Sequence, residues 1–416
     1  GYRNELTKTK SKLLKYSQLF SIGTGGDFNY SDSQVIFHKA FDLANTIGNI
    51  EDSKRSRTVR SPEFLKFNEN IHFNNLFIGE KYPPLIIAEA GINHNGNVDL
   101  AKDLIDQAQK AGCRAIKFQT YSKNSRVSNK FKSANYAEFI DGQEENLNQM
   151  FNRYRLSFND QEKIFKYAKR KKIMVFSTPF DFESVDFLEK QKVQIYKIAS
   201  MDLVNLPLIE YVAKKNKPVI LSTGMSTLSE IEDAVNCFKE TGNKNLAILH
   251  CNSTYPADIE DANLKVIDNL KKIFGTPVGL SDHCDGILTS VAAISRGANV
   301  IERHFTLNKY MEGPDHIFSS EKNELSELIN FSNKINGIVG DGIKRILPTE
   351  YETINLQRKS IYVNKKIKAG HTIKINDIAI KGPGGGIIPK YIKIILGRKV
   401  NKVIENDYPL KWEDLQ

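Results

Sequence analysis

This sequence predicts an α/β fold, a (β/α)8 TIM barrel followed by a small β-rich domain, and three observations carry the prediction. Eight short apolar runs recur between residues 85 and 337, most of them followed by an amphipathic stretch at helical spacing. The runs end in polar, chemically capable side chains, as barrel strands do at their C-terminal ends. After the last helical stretch the texture changes to short strand-like pieces punctuated by Gly and Pro.

Residues 1–76 are rich in Lys, Asn and Ser, with a charged stretch at 51–57, and read as an N-terminal extension without an assigned role. The barrel is expected over 77–340. Its strand candidates are Leu85–Ala88, Ala115–Phe118, Ile173–Phe176, Gln194–Ile198, Val219–Leu221, Leu246–Leu249, Val278–Leu280 and Val300–Ile301, each too short for a helix. Helical patterns fall at Asp99–Ala111, Asp160–Lys171, Leu228–Glu240, Leu288–Arg296 and Leu325–Val339. A doubly wound open sheet also alternates strand and helix, but eight evenly spaced strands favour closure. Residues 341–354 read as a linker. The terminal domain, 355–416, has strand-like pieces at Arg358–Val363, Ile367–Gly370 and Ile375–Ile378, then a Gly-Pro-Gly-rich turn from Lys381 to Gly386. At about 60 residues it is near the lower limit for folding alone and is expected to pack on something.

With 416 residues, 40% hydrophobic and 26% charged, the chain has globular composition and is too long for one typical domain. No run of about 18 apolar residues exists and no apolar leader opens the chain, which argues against a membrane protein or a secreted one. A soluble cytoplasmic protein is expected. Cys113, Cys237, Cys251 and Cys284 are widely spaced without a C-x-x-C pair, so they read as free thiols, neither a zinc site nor a disulfide framework. Of the net charge of +10, much lies in 357–416, where 13 Lys/Arg face 5 Asp/Glu. These lysines are scattered among apolar residues, which suits a solvated face better than a nucleic-acid surface.

The strand ends hold the candidate chemistry. His283 and His304 close adjacent strands, and two imidazoles converging at a barrel mouth can bind a divalent metal while leaving positions open for substrate. Lys117 and Lys197 close two others, where an ammonium near the barrel axis needs an anionic partner such as a bound carboxylate or phosphate. A Schiff-base lysine is the competing reading. Ser177, Ser222, Ser253 and Ser281, with Thr223-Gly224, offer hydroxyls and backbone N–H groups to a phosphate, although each taken singly is better suited to capping the next helix. Glu89 could manage protons near a metal and substrate, or pair with a lysine.

The segments IIAEAGINHNG (86–96), IKFQTY (116–121), FSTPFD (176–181), YKIAS (196–200), VILSTGM (219–225), LHCNSTYP (249–256), GLSDH (279–283), IERHFT (301–306) and GPDH (313–316) occur in this order. Across roughly 77–416 the chain therefore resembles the N-acetylneuraminate (sialic acid) synthases and their legionaminate and pseudaminate relatives. The resemblance implies a metal-dependent condensation of phosphoenolpyruvate with an N-acylated amino sugar, N-acetylmannosamine or a 2,4-diacetamido-trideoxy hexose. In it, C3 attacks the open-chain aldehyde, water adds, and phosphate leaves with C–O cleavage. Carried over by motif, His283 and His304 hold Mn2+ or Mg2+, Glu89 is the acid/base and Gln119 lines the metal and sugar site. Lys117, Lys197, Thr178, Ser200, Ser222 and Ser281 surround phosphoenolpyruvate. Tyr255, Glu302 and Asp315 contact the sugar, and Ser253 stands where some members have Asn.

The terminal domain resembles the antifreeze-like (SAF) domain of these enzymes, which covers the partner's site in a domain-swapped homodimer. Two positions depart from the family pattern: Asp202 replaces the more usual Glu, and Gly382 stands where an Arg usually precedes the Pro-Gly turn. The latter bears on the acceptor, and Lys381 lacks the planar fork to replace it fully. GINHNG with KFQTY sits nearer the neuraminate and legionaminate branches than the pseudaminate one. The rival readings are a Schiff-base aldolase and a non-catalytic carbohydrate- or ice-binding protein.

Overall fold

The structure, a computed structural model, describes residues 66–128 and 147–416. Most of the expected N-terminal extension lies outside that range. A short antiparallel hairpin comes first, β1 (Asn70–Phe73) and β2 (Leu76–Gly79), turned at Asn74 in the left-handed conformation that Asn tolerates.

Eight parallel strands follow: β3 (Leu85–Gly91), β4 (Ala115–Thr120), β5 (Met174–Pro179), β6 (Tyr196–Ile198), β7 (Val219–Ser222), β8 (Leu246–Cys251), β9 (Val278–Asp282) and β10 (Val300–His304). Their hydrogen-bonded order is β5-β4-β3-β10-β9-β8-β7-β6. The two end strands, consecutive in sequence, pack against each other and round the sheet into the expected barrel. Helices return the chain between strands, among them Val98–Ala111, Phe158–Lys171, Leu228–Glu240 and Lys322–Val339. Their starts are chemically marked: the Asn97, Ser157 and Thr227 side chains each accept a first-turn N–H, and Glu230 completes a capping box with Thr227.

Alternation along the strands decides which residues face the axis. Leu85, Ile87, Ala115, Phe176, Ile195, Ile220, Ala247, Leu249 and Val300 form an interior cluster, closed at the bottom by Ile71, Phe73, Leu76 and Ile78 of the hairpin. Residues 70–76, placed with the extension on sequence, thus contribute side chains to the barrel floor. The other parity, including Ile86, Ala88, Ile116, Phe118, Leu221, Ile248, Leu280 and Ile301, packs under the helices. Because side chains alternate with period two, continuing the interior parity upward reaches Glu89, Lys117, Lys197, Ser222, Ser281 and Glu302.

Helix Tyr351–Gln357 crosses the expected boundary between linker and terminal domain. In that domain β11 (Ser360–Val363) lies between β12 (Ile378–Lys381) and β13 (Tyr408–Pro409), all antiparallel, over a core that includes Ile361, Val363, Ile373, Ile387, Val400 and Leu410. The strand-like pieces at 367–370 and 375–378 came out differently. Ile367 makes only an isolated bridge to Ile404, and Ile375–Asp377 is a 3-10 turn. Asp377 explains the turn: its buried carboxylate accepts from the Lys374 N–H at 2.8 Å, faces His371 Nε2 at 2.8 Å and pairs with Lys365 Nζ at 2.6 Å. Burial opposes its charge, but the Lys365 and His371 contacts outweigh this and hold the carboxyl well below the usual range.

The Asp377 contribution should be fully present above the unfolded carboxyl value of about 3.9 and be lost as pH falls further. Asp377→Asn is expected to cost about 1.5–3 kcal/mol at neutral pH. Denaturant melts of both proteins at pH 7 and pH 3 check this, the difference shrinking at the lower pH.

Candidate active site

The strand ends open into a cavity of about 310 Å³ lined by the residues given a catalytic, metal or substrate-binding role by the family resemblance, together with Ser253. At its base two lysines meet two carboxylates. Lys117 Nζ lies 2.6 Å from Glu89 Oε2 and 3.8 Å from Glu302 Oε2, and it donates to Thr178 Oγ1 at 3.0 Å. Lys197 Nζ donates to Ser222 Oγ at 2.6 Å and stands 3.6 Å from Glu302 Oε1, which also accepts from Ser281 Oγ at 3.1 Å. All four charged groups are buried, where an isolated charge would cost several kcal/mol, so the pairing is obligatory.

Their proton affinities diverge. Burial raises Glu89 to about 7 despite the opposing field of Lys117. Burial also works against charge on Glu302, yet Lys117 and Lys197 outweigh it and hold that carboxyl below its ordinary value. Lys197 is lowered, chiefly by burial. One carboxylate is thus committed to its charge, while the other is poised to exchange a proton near neutrality.

Above this base the ring centroids of His283 and His304 lie 5.4 Å apart, with the Tyr255 ring tilted against His283 at 4.2 Å. His283 Nδ1 contacts the Asn252 carbonyl at 2.7 Å, which directs Nε2 towards Ser281 at 3.4 Å. His304 Nδ1 is buried without a hydrogen-bond partner and faces Asp315 Oδ2 at 3.5 Å. Burial, with the neighbouring His283, drives the His304 pKa well below its usual value, so the ring is a neutral lone-pair donor. Burial raises Asp315 to about 6. Among the described residues no group of three or more His, Cys, Asp or Glu gathers as a metal site. The two imidazoles, one with an orphaned nitrogen, suit a cation that keeps positions open for oxygen ligands.

Two glycine-dependent turns shape the walls. Gly224 N–H donates to Ser200 Oγ at 3.0 Å, and a Cβ on Gly224 would overlap Ser253 Oγ and sit 2.9 Å from Ser200 Oγ. Gly91 ends β3 at φ +52°, a backbone conformation that strains other residues, with His304, Asp315 and Gln119 around it.

Some residues of the same motifs point elsewhere. Ser177 has the outward parity and bonds Thr120 Oγ1 at 2.7 Å, and Thr223 Oγ1 donates to the Leu249 carbonyl, so neither can hold a substrate phosphate. Asn93, His94 and Asn95 act as a clasp. Asn93 donates to the Phe305 carbonyl and to Ser319 Oγ, and Asn95 meets His316 Nε2 at 3.2 Å and donates to the Glu312 carbonyl. This ties the loop after β3 to the loop that carries Asp315. His94 and His316 are buried there and pushed down by burial to about 3 and about 4. Cys251 is a buried free thiol 3.9 Å from His283 Nδ1, and Cys284 is buried and free as well.

The residue that sequence reasoning missed is Arg126. Its guanidinium carbon lies 3.8 Å from the Phe151 ring centroid and 4.1 Å from that of Phe180, and Nη1 donates to Gln119 Oε1 at 2.6 Å. Gln119 Nε2 in turn donates to Glu89 Oε1 at 3.2 Å. Arg126 belongs to a polar loop beyond the strand end, so strand periodicity carries no signal for it.

The fold and this constellation define a barrel enzyme whose chemistry sits at the C-terminal strand ends and handles an anionic substrate. Residues 104–344 match the NeuB family and residues 358–416 the SAF domain. The chain is 42% identical over 325 residues to the N,N'-diacetyllegionaminic acid synthase of Campylobacter jejuni, covering 78% of this chain and 97% of that one. It is 33% identical over 346 residues to the mouse N-acetylneuraminate-9-phosphate synthase, covering 82% and 95%. A crystal structure of N-acetylneuraminic acid (sialic acid) synthetase from Leptospira borgpetersenii, in complex with citrate, superposes with a TM-score of 0.61 at 35% identity, over 70% of this chain and 96% of that one. The chain belongs to the NeuB family, and it is a sialic-acid-type synthase, a transferase of the phosphoenolpyruvate-condensing class.

Gly224→Ala forces Ser200 and Ser253 apart. It is expected to destabilise the protein by on the order of 1–3 kcal/mol and to lower turnover about tenfold or more through misplacement of both hydroxyls. Thermal melting and steady-state phosphate release measure the two effects; unchanged turnover would mean that neither hydroxyl position matters.

Proposed function

We propose that this enzyme condenses phosphoenolpyruvate with the open-chain form of an N-acylated amino sugar of the mannosamine type, giving a nine-carbon keto acid and phosphate. The observation that supports it best is the buried pair Lys117 and Lys197 beside the imidazoles of His283 and His304 at one barrel mouth. The lysines, with Thr178, Ser200, Ser222 and Ser281, offer the cations and hydroxyls that a phosphate and a carboxylate need. Glu302 lies within ion-pair reach of both ammonium groups and, with Glu89, offsets their charge, so the incoming anion joins a partly charge-compensated site. Glu89, near pKa 7, is the group to take or give the proton as the sugar carbonyl becomes a hydroxyl. Gln119 holds one oxygen of Glu89, and Tyr255 and Asp315 border the space for the sugar.

His283 and His304 would hold Mn2+ or Mg2+, which when bound polarises the aldehyde oxygen. The burial of His304 and its partnerless Nδ1 fit that role. A Schiff-base route fits less well, because Lys117 Nζ is engaged by Glu89 at 2.6 Å and by Thr178 at 3.0 Å. Between acceptors, the 42% identity to a diacetyllegionaminic acid synthase favours the 2,4-diacetamido-trideoxy sugar as a second reading beside N-acetylmannosamine. We also propose a domain-swapped homodimer. The exposed apolar side chains Ile343, Leu347, Tyr351 and Leu356 around the connector support it, as surface that a second copy would cover.

Phosphate release should appear with phosphoenolpyruvate, Mn2+ and one member of an amino-sugar panel, and should cease with EDTA. Turnover that ignores the chelator, or none with any sugar, would sink this reading. His283→Ala and His304→Ala are each expected to abolish turnover and to weaken Mn2+ binding measured by electron paramagnetic resonance. Near-normal activity in either variant removes that residue as an essential ligand.

A further inference from the structure

We propose that Asn95 and His316, neither of which lines the cavity, are positioning residues that set the affinity for the sugar acceptor by fixing the carboxylate of Asp315. The inference rests on the synthase reading above and goes beyond it by naming the device that holds one wall of the acceptor site.

The loop that carries Asp315 is held by polar groups more than by apolar ones. Among residues 306–319 the buried side chains are Thr306, Asp315, His316, Phe318 and Ser319, and all but Phe318 are polar. Tyr310 and Ile317, by contrast, are 91% and 64% exposed. Buried polar groups have to be paired, and a fully paired network specifies a single arrangement because each bond has a direction.

The pairing here converges on the backbone around Asp315. Asn95 Nδ2 donates to the Glu312 carbonyl at 2.8 Å, which fixes the amide and leaves Oδ1 to accept from His316 Nε2 at 3.2 Å. Burial pushes His316 down to about 4, so the neutral ring carries one proton. With that proton on Nε2, Nδ1 accepts from Thr306 Oγ1 at 2.6 Å. Asn93 reaches the same loop through Ser319, whose hydroxyl donates to the Asp315 carbonyl. Gly313 lets these parts close together: a Cβ there would come within 2.7 Å of His316 Cδ2 and 2.9 Å of Asn95 Oδ1. The chain is thus gripped at 312, 315 and 316, and the Asp315 carboxylate is left to face the cavity, 3.5 Å from His304 Nδ1. A carboxylate so placed is a strong acceptor for a sugar hydroxyl, and that bond weakens steeply once its geometry is lost.

The test uses the full chain with phosphoenolpyruvate, Mn2+ and either N-acetylmannosamine or 2,4-diacetamido-2,4,6-trideoxymannose, whichever the wild type turns over faster. Asn95→Gly keeps the left-handed backbone at φ +50° and removes both side-chain bonds. Gly313→Ala pries the same contacts apart from the other side. In each variant the KM for the sugar is expected to rise on the order of tenfold. The KM for phosphoenolpyruvate, and Mn2+ affinity read by electron paramagnetic resonance, should stay within about twofold. A double-mutant cycle with Asp315→Ala separates positioning from a merely structural role. It is read as kcat/KM for the sugar or, where turnover is too slow, as the sugar's dissociation constant by calorimetry. Added to Asp315→Ala, Asn95→Gly should cost less than about twofold more, because the group it aims is already gone. The same tenfold loss in both backgrounds, an equal rise in the KM for phosphoenolpyruvate, or an unchanged sugar KM in the single variants would overturn the proposal. Thermal melting reports whether each variant is folded, and either one suffices for the cycle. If the wild type turns over neither sugar, the synthase reading fails and takes this proposal with it, which is visible before any variant is made.

Discussion

The buried alternation of charge Glu89–Lys117–Glu302–Lys197 is the constraint on which the rest of the structure depends. Four ionisable groups within one barrel mouth are tolerable only if each faces its opposite, since the loss of one partner leaves a buried charge at a cost of about 3–5 kcal/mol. The ladder spans β3, β4, β6 and β10, so it demands that these strands keep their register. A one-residue slip would turn the whole set into the helix layer.

A second ion pair, on the opposite face of the sheet, holds that register. Arg303 and Asp282 have the outward parity of β10 and β9, each lying between two residues that face the mouth. The guanidinium of the fully buried Arg303 reaches Asp282 Oδ2 at 2.5 Å and the Cys284 carbonyl at 2.9 Å, and Nε donates to Ser320 Oγ at 2.8 Å. It joins the strand end that carries Ser281 and His283 to the one that carries Glu302 and His304. The clasp made by Asn93 on Ser319 and Asn95 on His316 does comparable work above, carrying Asp315 to within 3.5 Å of His304. The motifs around the site are therefore of two kinds, side chains that face the cavity and side chains that aim them, interleaved one residue apart.

That interleaving decides how much was legible beforehand. Eight apolar runs marked the strands, and the strand-end polar residues of interior parity reached one cavity, because period-two alternation carries the parity of residues such as Ile87 and Ile220 up to Glu89 and Ser222. Ser177 and Thr223 were misjudged by the same rule: they lie one residue from Thr178 and Ser222, and counting parity from Phe176 and Ile220 would have turned them outward. The hairpin at 70–79 was missed because its few apolar residues adjoin a Lys/Asn-rich stretch, and their role as a floor exists only once the barrel is closed. Asp377 turned a strand-like run into a 3-10 turn through contacts with Lys365, Lys374 and His371, which pattern alone does not weigh.

By itself the sequence determined the order of elements, the parity of each strand and the identity of the ionisable groups at the strand ends, since all three are local properties of residue type and spacing. Only the tertiary structure decided which charges pair, which imidazole nitrogen stays without a partner, and that a loop arginine comes to lie between Phe151 and Phe180. Those outcomes depend on distances between segments far apart in the chain, and on burial, which raises Glu89 to about 7 while the lysines hold Glu302 down. Two glutamates of the same type thereby acquire different chemistry from their positions around one barrel mouth.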